Sequence, residues 1–322
     1  MYTVTIKVSA EGTADCRTIK DALALANAYE NESVRILVGK GVYREKTVIT
    51  QPRITLQGCG SEHTVISWGD SARDLMPDGE KRGTFRTATL MVDADDFTAL
   101  DITIENTRTN ASLDGQAIAL YADGDRAVFE RCRITGSQDT VFTAPLPPSA
   151  IEPNGFRGPK EHAPRRMTHQ YYRRCFISGG IDFIFGSAAV WFEDCALCSV
   201  DSDSYVTAAS TPEGEPFGYV FSRCRFTSAP GITNVFLGRP WRDHAKVVLL
   251  DCELGGHIRP EGWHDWDKEA AHALTYLREY RSSGPGATGP RAAWAGSLGR
   301  EEAAFFTPER VLGSWVSRVS YQ

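Results

Sequence analysis

The amino-acid sequence predicts an all-β solenoid, in which short strands coil around one axis and the two ends are capped. Three observations predict it: a segment centred on cysteine that recurs through the middle of the chain, connections too short to hold long helices between recurrences, and helical periodicity near each end. The recurring segment is an apolar stretch, two mostly polar residues, Cys, a variable residue and often another apolar one. It appears as VFERCRI around Cys132, YYRRCFI around Cys175, WFEDCAL around Cys195, VFSRCRF around Cys224 and VLLDCEL around Cys252. FTALDITI, ending at Ile104, fits the same frame with Ile102 in the cysteine position.

A period of roughly 20–30 residues made of short strands is the signature of stacked β-coils. At equivalent positions of such coils small apolar residues stack along the axis, and cysteine serves there as a small hydrophobe. Cys195 and Cys198 form a C-x-x-C without a second pair or a βαβ setting, so they are read as structural. The one long interval, from Cys132 to Cys175, contains residues 145–166, rich in Pro and Gly, which read as an inserted loop. Solenoid ends expose strand edges and an open core, so they require caps. Residues 18–29 carry helical periodicity in Ile19, Ala22, Leu23 and Ala26 and are expected to plug the N-terminal end. Residues 268–280 are expected to form a second helix. The expected organisation is one domain over 1–322, with a core of about 3–285 and a tail, 286–322, packing on the solenoid.

Composition bounds the function. The chain has 322 residues, 42% hydrophobic and 24% charged, as in an ordinary soluble globular protein. A net charge of −6 without a run of Lys and Arg argues against nucleic-acid binding. No apolar run approaches the roughly 20 residues of a membrane helix, and MYTVTIKVSAEG alternates like a strand rather than a signal peptide. The expectation is a protein of the cytoplasm, or a secreted one whose signal has been removed, that works as a monomer. Eight cysteines in so long a chain are not a disulfide scaffold.

The common hydrolase motifs are missing. Ala295-Gly296-Ser297-Leu298-Gly299 lacks the first glycine of G-x-S-x-G, and no H-E-x-x-H occurs. His264, Asp265 and Asp267 in GWHDWD are weighed as metal ligands and read instead as an exposed acidic turn, so neither metal nor cofactor is expected. Three segments concentrate unusual residues: 115–143, 179–195 and 236–248. Asp182 lies in a strongly apolar, β-prone run. Its carboxylate must face outward, cap a turn or pair with a cation, because unpaired burial is costly. Arg239 and Trp241 flank Pro240; they suit bidentate carboxylate pairing and stacking on a sugar ring, or a structural Arg and a core Trp.

Taken together the segments resemble the pectin methylesterase family. The likeness begins at CRTIKDAL and GVYREK, continues through GTFRTAT and QAIAL, and reaches GSQDT, GGIDFIFG, LGRPW and GWHDW in the family's order, over about residues 3–285. It implies a right-handed parallel β-helix, to which the residues themselves add an N-terminal capping helix and a C-terminal helical and loop tail. It also implies hydrolysis of methyl esters at the C6 carboxyls of galacturonate units, in the polymer or in oligogalacturonides. Carried over by motif, Asp182 is the nucleophile and Asp139 the general acid/base. Gln116 and Gln138 are oxyanion donors, and Arg239 holds Asp182. Thr84 and Trp241 match substrate contacts, as does Trp263. Ser137 stands where the family usually has an aromatic residue, which removes one stacking surface, and the insertion is expected to wall the groove. Rival readings are a thioesterase-like member of the family, a polysaccharide lyase, for which no acidic calcium cluster is seen, and a catalytically inactive carbohydrate-binding protein.

Overall fold

The computed structural model describes residues 3–12 and 14–319. Its strands form three parallel sheets of 11, 7 and 8 strands. One coil shows the plan: Ala127–Glu130 joins the 11-stranded sheet, Arg133–Thr135 the 8-stranded sheet and Val141–Thr143 the 7-stranded sheet. The next coil repeats it in register, Val128 over Tyr171, Ile134 over Ile177 and Val141 over Ile184. This is the expected parallel β-helix.

The cysteine repeat marks a corner. The residue before each cysteine position is left-handed: Asp101, Arg131, Arg174, Asp194, Arg223 and Asp251 have φ of 54, 51, 52, 53, 52 and 54°. Such a φ is uncommon outside glycine, and it turns the chain from one sheet into the next. The corner side chains pair outward along the axis, Arg131 Nε to Asp101 Oδ1 at 2.7 Å and Arg223 Nε to Asp194 Oδ1 at 2.9 Å. The following residue points inward, and Ile102, Cys132, Cys175, Cys195, Cys224 and Cys252 are all buried. Each thiol also donates to a carbonyl one coil earlier, as Cys175 Sγ does to Phe129 O at 3.3 Å and Cys252 Sγ to Phe221 O at 3.4 Å. The interior carries an aromatic column as well. Phe129, Tyr172, Phe192 and Phe221 stack at centroid separations of 4.7, 4.9 and 4.5 Å, the spacing of strands within a sheet.

The N-terminal plug is the helix Ile19–Ala26, continued by a 3-10 turn, Asn27–Tyr29. Thr18 accepts the Asp21 N–H at 3.0 Å, and the Glu45 carboxylate accepts those of Ile19 and Lys20 at 3.0 Å each, so the helix start is satisfied. Ile19, Ala22 and Ala26 close the core.

The helix expected over 268–280 does not form. Glu269–Ala273 is a single 3-10 stretch, and Tyr276–Tyr280 is a strand paired with Lys246–Leu250. The open edge of the 11-stranded sheet offers that segment a ladder of backbone partners. Its Tyr and Leu residues fit a pleated surface, with Leu277 and Glu279 turned inward. The helices of the tail lie further on, at Arg300–Phe305 and Pro308–Leu312. Leu312 and Val316 join a second apolar cluster with Tyr171, Trp191 and Val220 on the 11-stranded sheet.

Candidate active site

The 7-stranded sheet positions the candidate site side chains along the axis. Gln116 precedes the strand Leu120–Ala122, and Gln138 and Asp139 precede Val141–Thr143. Asp182 lies in Ile181–Gly186 and Arg239 in Phe236–Pro240. Gln116 pairs with Gln138 in a parallel bridge. The Asp139 N–H donates to Ile181 O at 3.0 Å, which sets Asp139 beside Asp182 on the next coil. The insertion loops out between these two positions, so residues far apart in sequence become neighbours one coil apart. All five side chains line one cleft of about 560 Å³.

Both aspartates are left-handed, with φ of 62° at Asp139 and 52° at Asp182. Aspartate tolerates this region better than most residues because its short polar side chain bonds locally, and backbone strain of this kind collects at functional sites. Asp139 and Asp182 are 8% and 5% exposed. Arg239 meets Asp182 side on, Nε to Oδ1 at 2.9 Å and Nη2 to Oδ2 at 2.6 Å. The cation pairing that the sequence offered as one option for Asp182 is therefore present.

Burial pushes the Asp182 carboxyl above the usual aspartate range, against the pull of the bonded Arg239 and the charge of Lys268. Asp139 is driven well above that range by burial and then by the charge of Asp182. The more distant Arg239 and a hydrogen bond from Gln138 lower it less. Among the described residues, no cation bonds Asp139. Asp139 is thus raised further than Asp182, because it lacks the bonded arginine and feels the charge of its neighbour.

Thr84, at the start of the 3-10 turn Thr84–Arg86, and Trp241 both line the cleft. Trp263 does not. It is 3% exposed within the main core, and Trp266, three residues on, lines the cleft instead. Ser137 is 1% exposed and lies beneath the surface rather than at a stacking position. The insertion forms a wall: Ala150, Ile151 and Phe156 line the cleft. Phe156 packs edge-on against Phe85 at 5.6 Å and Trp241 at 6.1 Å. Lys160 anchors the loop through Asp93 and Asp123 at 2.5 and 3.1 Å. In GWHDWD, His264 Nδ1 accepts the Trp266 N–H and Asp265 Oδ1 the Asp267 N–H, each at 3.0 Å, so two of the candidate metal ligands build a turn. Sequence reasoning missed Trp266, Arg242 and Lys268 in the cleft. The only signal for Trp266 was its place in the same short motif as Trp263.

Two buried carboxyls, one of them clasped by arginine, thus share one cleft with two amide side chains on a parallel β-helix. The chain belongs to the pectinesterase family, whose model, described as Pectinesterase, matches residues 5–146 and 160–314. The internal gap in the match, residues 147–159, falls within the insertion, and the match runs well into the tail. Pectinesterase QRT1 from Arabidopsis thaliana is 34% identical over 306 residues, covering 92% of this chain and 74% of that protein. The chain spans only 58% and 54% of the length of two other Arabidopsis relatives, probable pectinesterase/pectinesterase inhibitor 42 and pectinesterase/pectinesterase inhibitor 18. Among solved structures, pectin methylesterase from carrot superposes with a TM-score of 0.84 at 28% identity, covering 98% of this chain and 96% of that one. A pectin methylesterase in complex with hexasaccharide VII gives 0.79 at 28% identity, with 98% of each chain covered. The fold shared with them is the right-handed parallel β-helix.

Proposed function

We propose that this chain hydrolyses the methyl esters at C6 of galacturonate units in pectin, releasing methanol and leaving free carboxylates, with Asp182 as nucleophile and Asp139 as general acid and base. The observation that carries the reading is the split carboxyl pair: Asp182 held by two parallel bonds from Arg239, and Asp139 beside it without a bonded cation. A methyl ester is a neutral acyl group whose leaving group departs as methanol only if it is protonated. Asp182 attacks the ester carbonyl carbon, and the oxyanion that forms accepts hydrogen bonds from the amides of Gln116 and Gln138. Donors aimed where charge develops are each worth roughly 2.7–4 kcal/mol. As the tetrahedral intermediate collapses, the C–O bond to methoxide breaks and Asp139 gives its proton to the departing oxygen. Asp139, now a carboxylate, takes a proton from water. The hydroxide opens the acyl anhydride on Asp182, and both aspartates return to their starting states.

Trp241, partly buried in the cleft wall beside Phe156, supports a sugar ring as the bound group, because a flat apolar face suits the axial C–H face of a pyranose. The substrate reading draws further support from the relative that holds a hexasaccharide. The test is methanol release from highly methylated polygalacturonate and from methylated oligomers, in EDTA, by the wild type and by Asp182→Ala. Release by the wild type alone is expected. Equal release by Asp182→Ala removes the nucleophile, and no release by the wild type on either substrate removes the reading.

A further inference from the structure

The Arg239 guanidinium lies between two aromatic rings. Its Cζ is 3.9 Å from the centroid of Tyr205 and 3.6 Å from that of Trp266. A planar cation flanked this closely has both faces covered and only its edge free, and that edge is the one that meets Asp182. The rings come from separate parts of the chain. Tyr205 opens the strand Tyr205–Ala209, on the coil between Asp182 and Arg239, and Trp266 sits in the loop after the last coil strand of that sheet.

Each ring is itself fixed. Tyr205 stacks on Phe236 at 5.4 Å with the planes 9° apart, and it does not line the cleft, so it is not placed to receive a sugar. Trp266 has φ of 57°, a true outlier for a bulky residue. It is kept there by the His264 Nδ1 that accepts its N–H at 3.0 Å. Lys268 ties the same loop to the strand that carries Arg239, donating from Nζ to Pro240 O and Trp241 O at 2.9 Å each. A strained tryptophan bolted in place from two sides requires a purpose. Lining a sugar groove does not require it, because Trp241 already supplies a flat face there.

We propose that Tyr205 and Trp266 are positioning residues that clamp the Arg239 guanidinium edge-on to Asp182, keeping both of its parallel hydrogen bonds made and its faces out of water. The physical reason is that an arginine on a flexible stem otherwise spreads over several rotamers and hydrates its faces, which loosens a bidentate pair. Cation–π attraction to both rings favours the single productive geometry. The proposal rests on Asp182 acting as an ionised nucleophile. The charged and titratable groups facing Asp182 are Arg239, Lys268 and Asp139; the His264 ring lies 5.6 Å from that of Tyr205 and accepts the Trp266 N–H, and Asp265 pairs with His272.

The experiment is a titration of the Asp182 carboxyl by 13C NMR, assigned by difference against Asp182→Asn, in the wild type and in Tyr205→Leu, Tyr205→Phe, Trp266→Leu and Trp266→Phe. Alongside it runs the pH profile of methanol release. The leucine variants are expected to move the Asp182 midpoint upward by about half a pH unit or more, and the acid limb of kcat/KM with it. The phenylalanine variants restore both. Tyr205→Leu lowers kcat while KM stays unchanged, since Tyr205 does not reach the cleft. Leucine variants with a wild-type midpoint overturn the clamp, as do phenylalanine variants that behave like leucine. Should Tyr205→Leu not fold, the partly exposed Trp266 carries the same test. The NMR titration requires no turnover, so a wild type that releases no methanol sinks the proposed function and leaves the clamp to be judged on its own.

Discussion

The contact between Arg239 and Asp182 gives the most quantitative prediction. Arg239→Lys keeps the charge and roughly the reach, yet it replaces a planar fork by a compact ammonium. The fork makes two bonds, of 2.9 and 2.6 Å, to different carboxylate oxygens. An ammonium in that space keeps one of them and cannot fill the flat slot between rings 3.9 and 3.6 Å away. Losing one charge-assisted hydrogen bond costs about 1.5–3 kcal/mol. The pair is 14% and 8% exposed at its side chains, so solvent screening does little to reduce that figure. If the lost bond is one that holds the nucleophile ionised and aimed, kcat falls roughly 10- to 150-fold, since each 1.36 kcal/mol is tenfold in rate. The assay is methanol release under saturating substrate, with a thermal melt to show that the variant is folded. Turnover within about threefold of wild type would refute the argument, because the second bond and the planar fit would then contribute nothing to the nucleophile.

Asp139→Asn tests the proton on Asp139 through stability as well as rate. Its carboxyl is pushed well above the usual range in the fold, so between the unfolded and the folded values the native state binds the extra proton. Stability then falls as pH rises through that window, and the cost is complete above the folded value. Asparagine removes the cost, so the variant melts higher than wild type at neutral pH, matches it below the ordinary aspartate range, and loses its turnover. Equal melting at both pH values in calorimetry would mean that Asp139 is not held protonated. Gln116→Leu and Gln138→Leu are each expected to lose about 100- to 1,000-fold in kcat with little change in KM; a pure KM effect would make them binding groups instead. Trp263→Ala and Trp241→Ala should separate cleanly. The first opens a core cavity and costs about 3–5 kcal/mol with KM unchanged, and the second raises KM with the melting temperature intact. The reverse pattern would return Trp263 to the groove.

What was legible in the sequence was whatever the coil repeats. The cysteine frame fixed which residues stack, because a small buried side chain recurs at one corner of every turn. Asp139 and Asp182 could be placed one coil apart by taking out a Pro- and Gly-rich stretch. The left-handed corner that each cysteine follows was hidden, since Asp and Arg occupy it as readily as glycine would, and their outward ion pairs look like surface charge. The Lys268–Tyr280 region misled for a related reason. Its alanines have helical periodicity, but the strand at Tyr276–Tyr280 is set by the edge of a sheet built 30 residues earlier. Trp263 and Trp266 exchanged places because φ of 57° at Trp266 reverses which of two tryptophans in one short loop faces out. A positive φ at tryptophan has no sequence signal, because it is imposed by His264 and by Lys268 reaching to another strand. The same holds for the ring of Tyr205, which reads locally as the start of an ordinary strand. The residues proposed to act on the ester sit in short motifs that a linear reading can find. The residues proposed to aim them come from separate parts of the chain, so they become visible only when the stack is assembled.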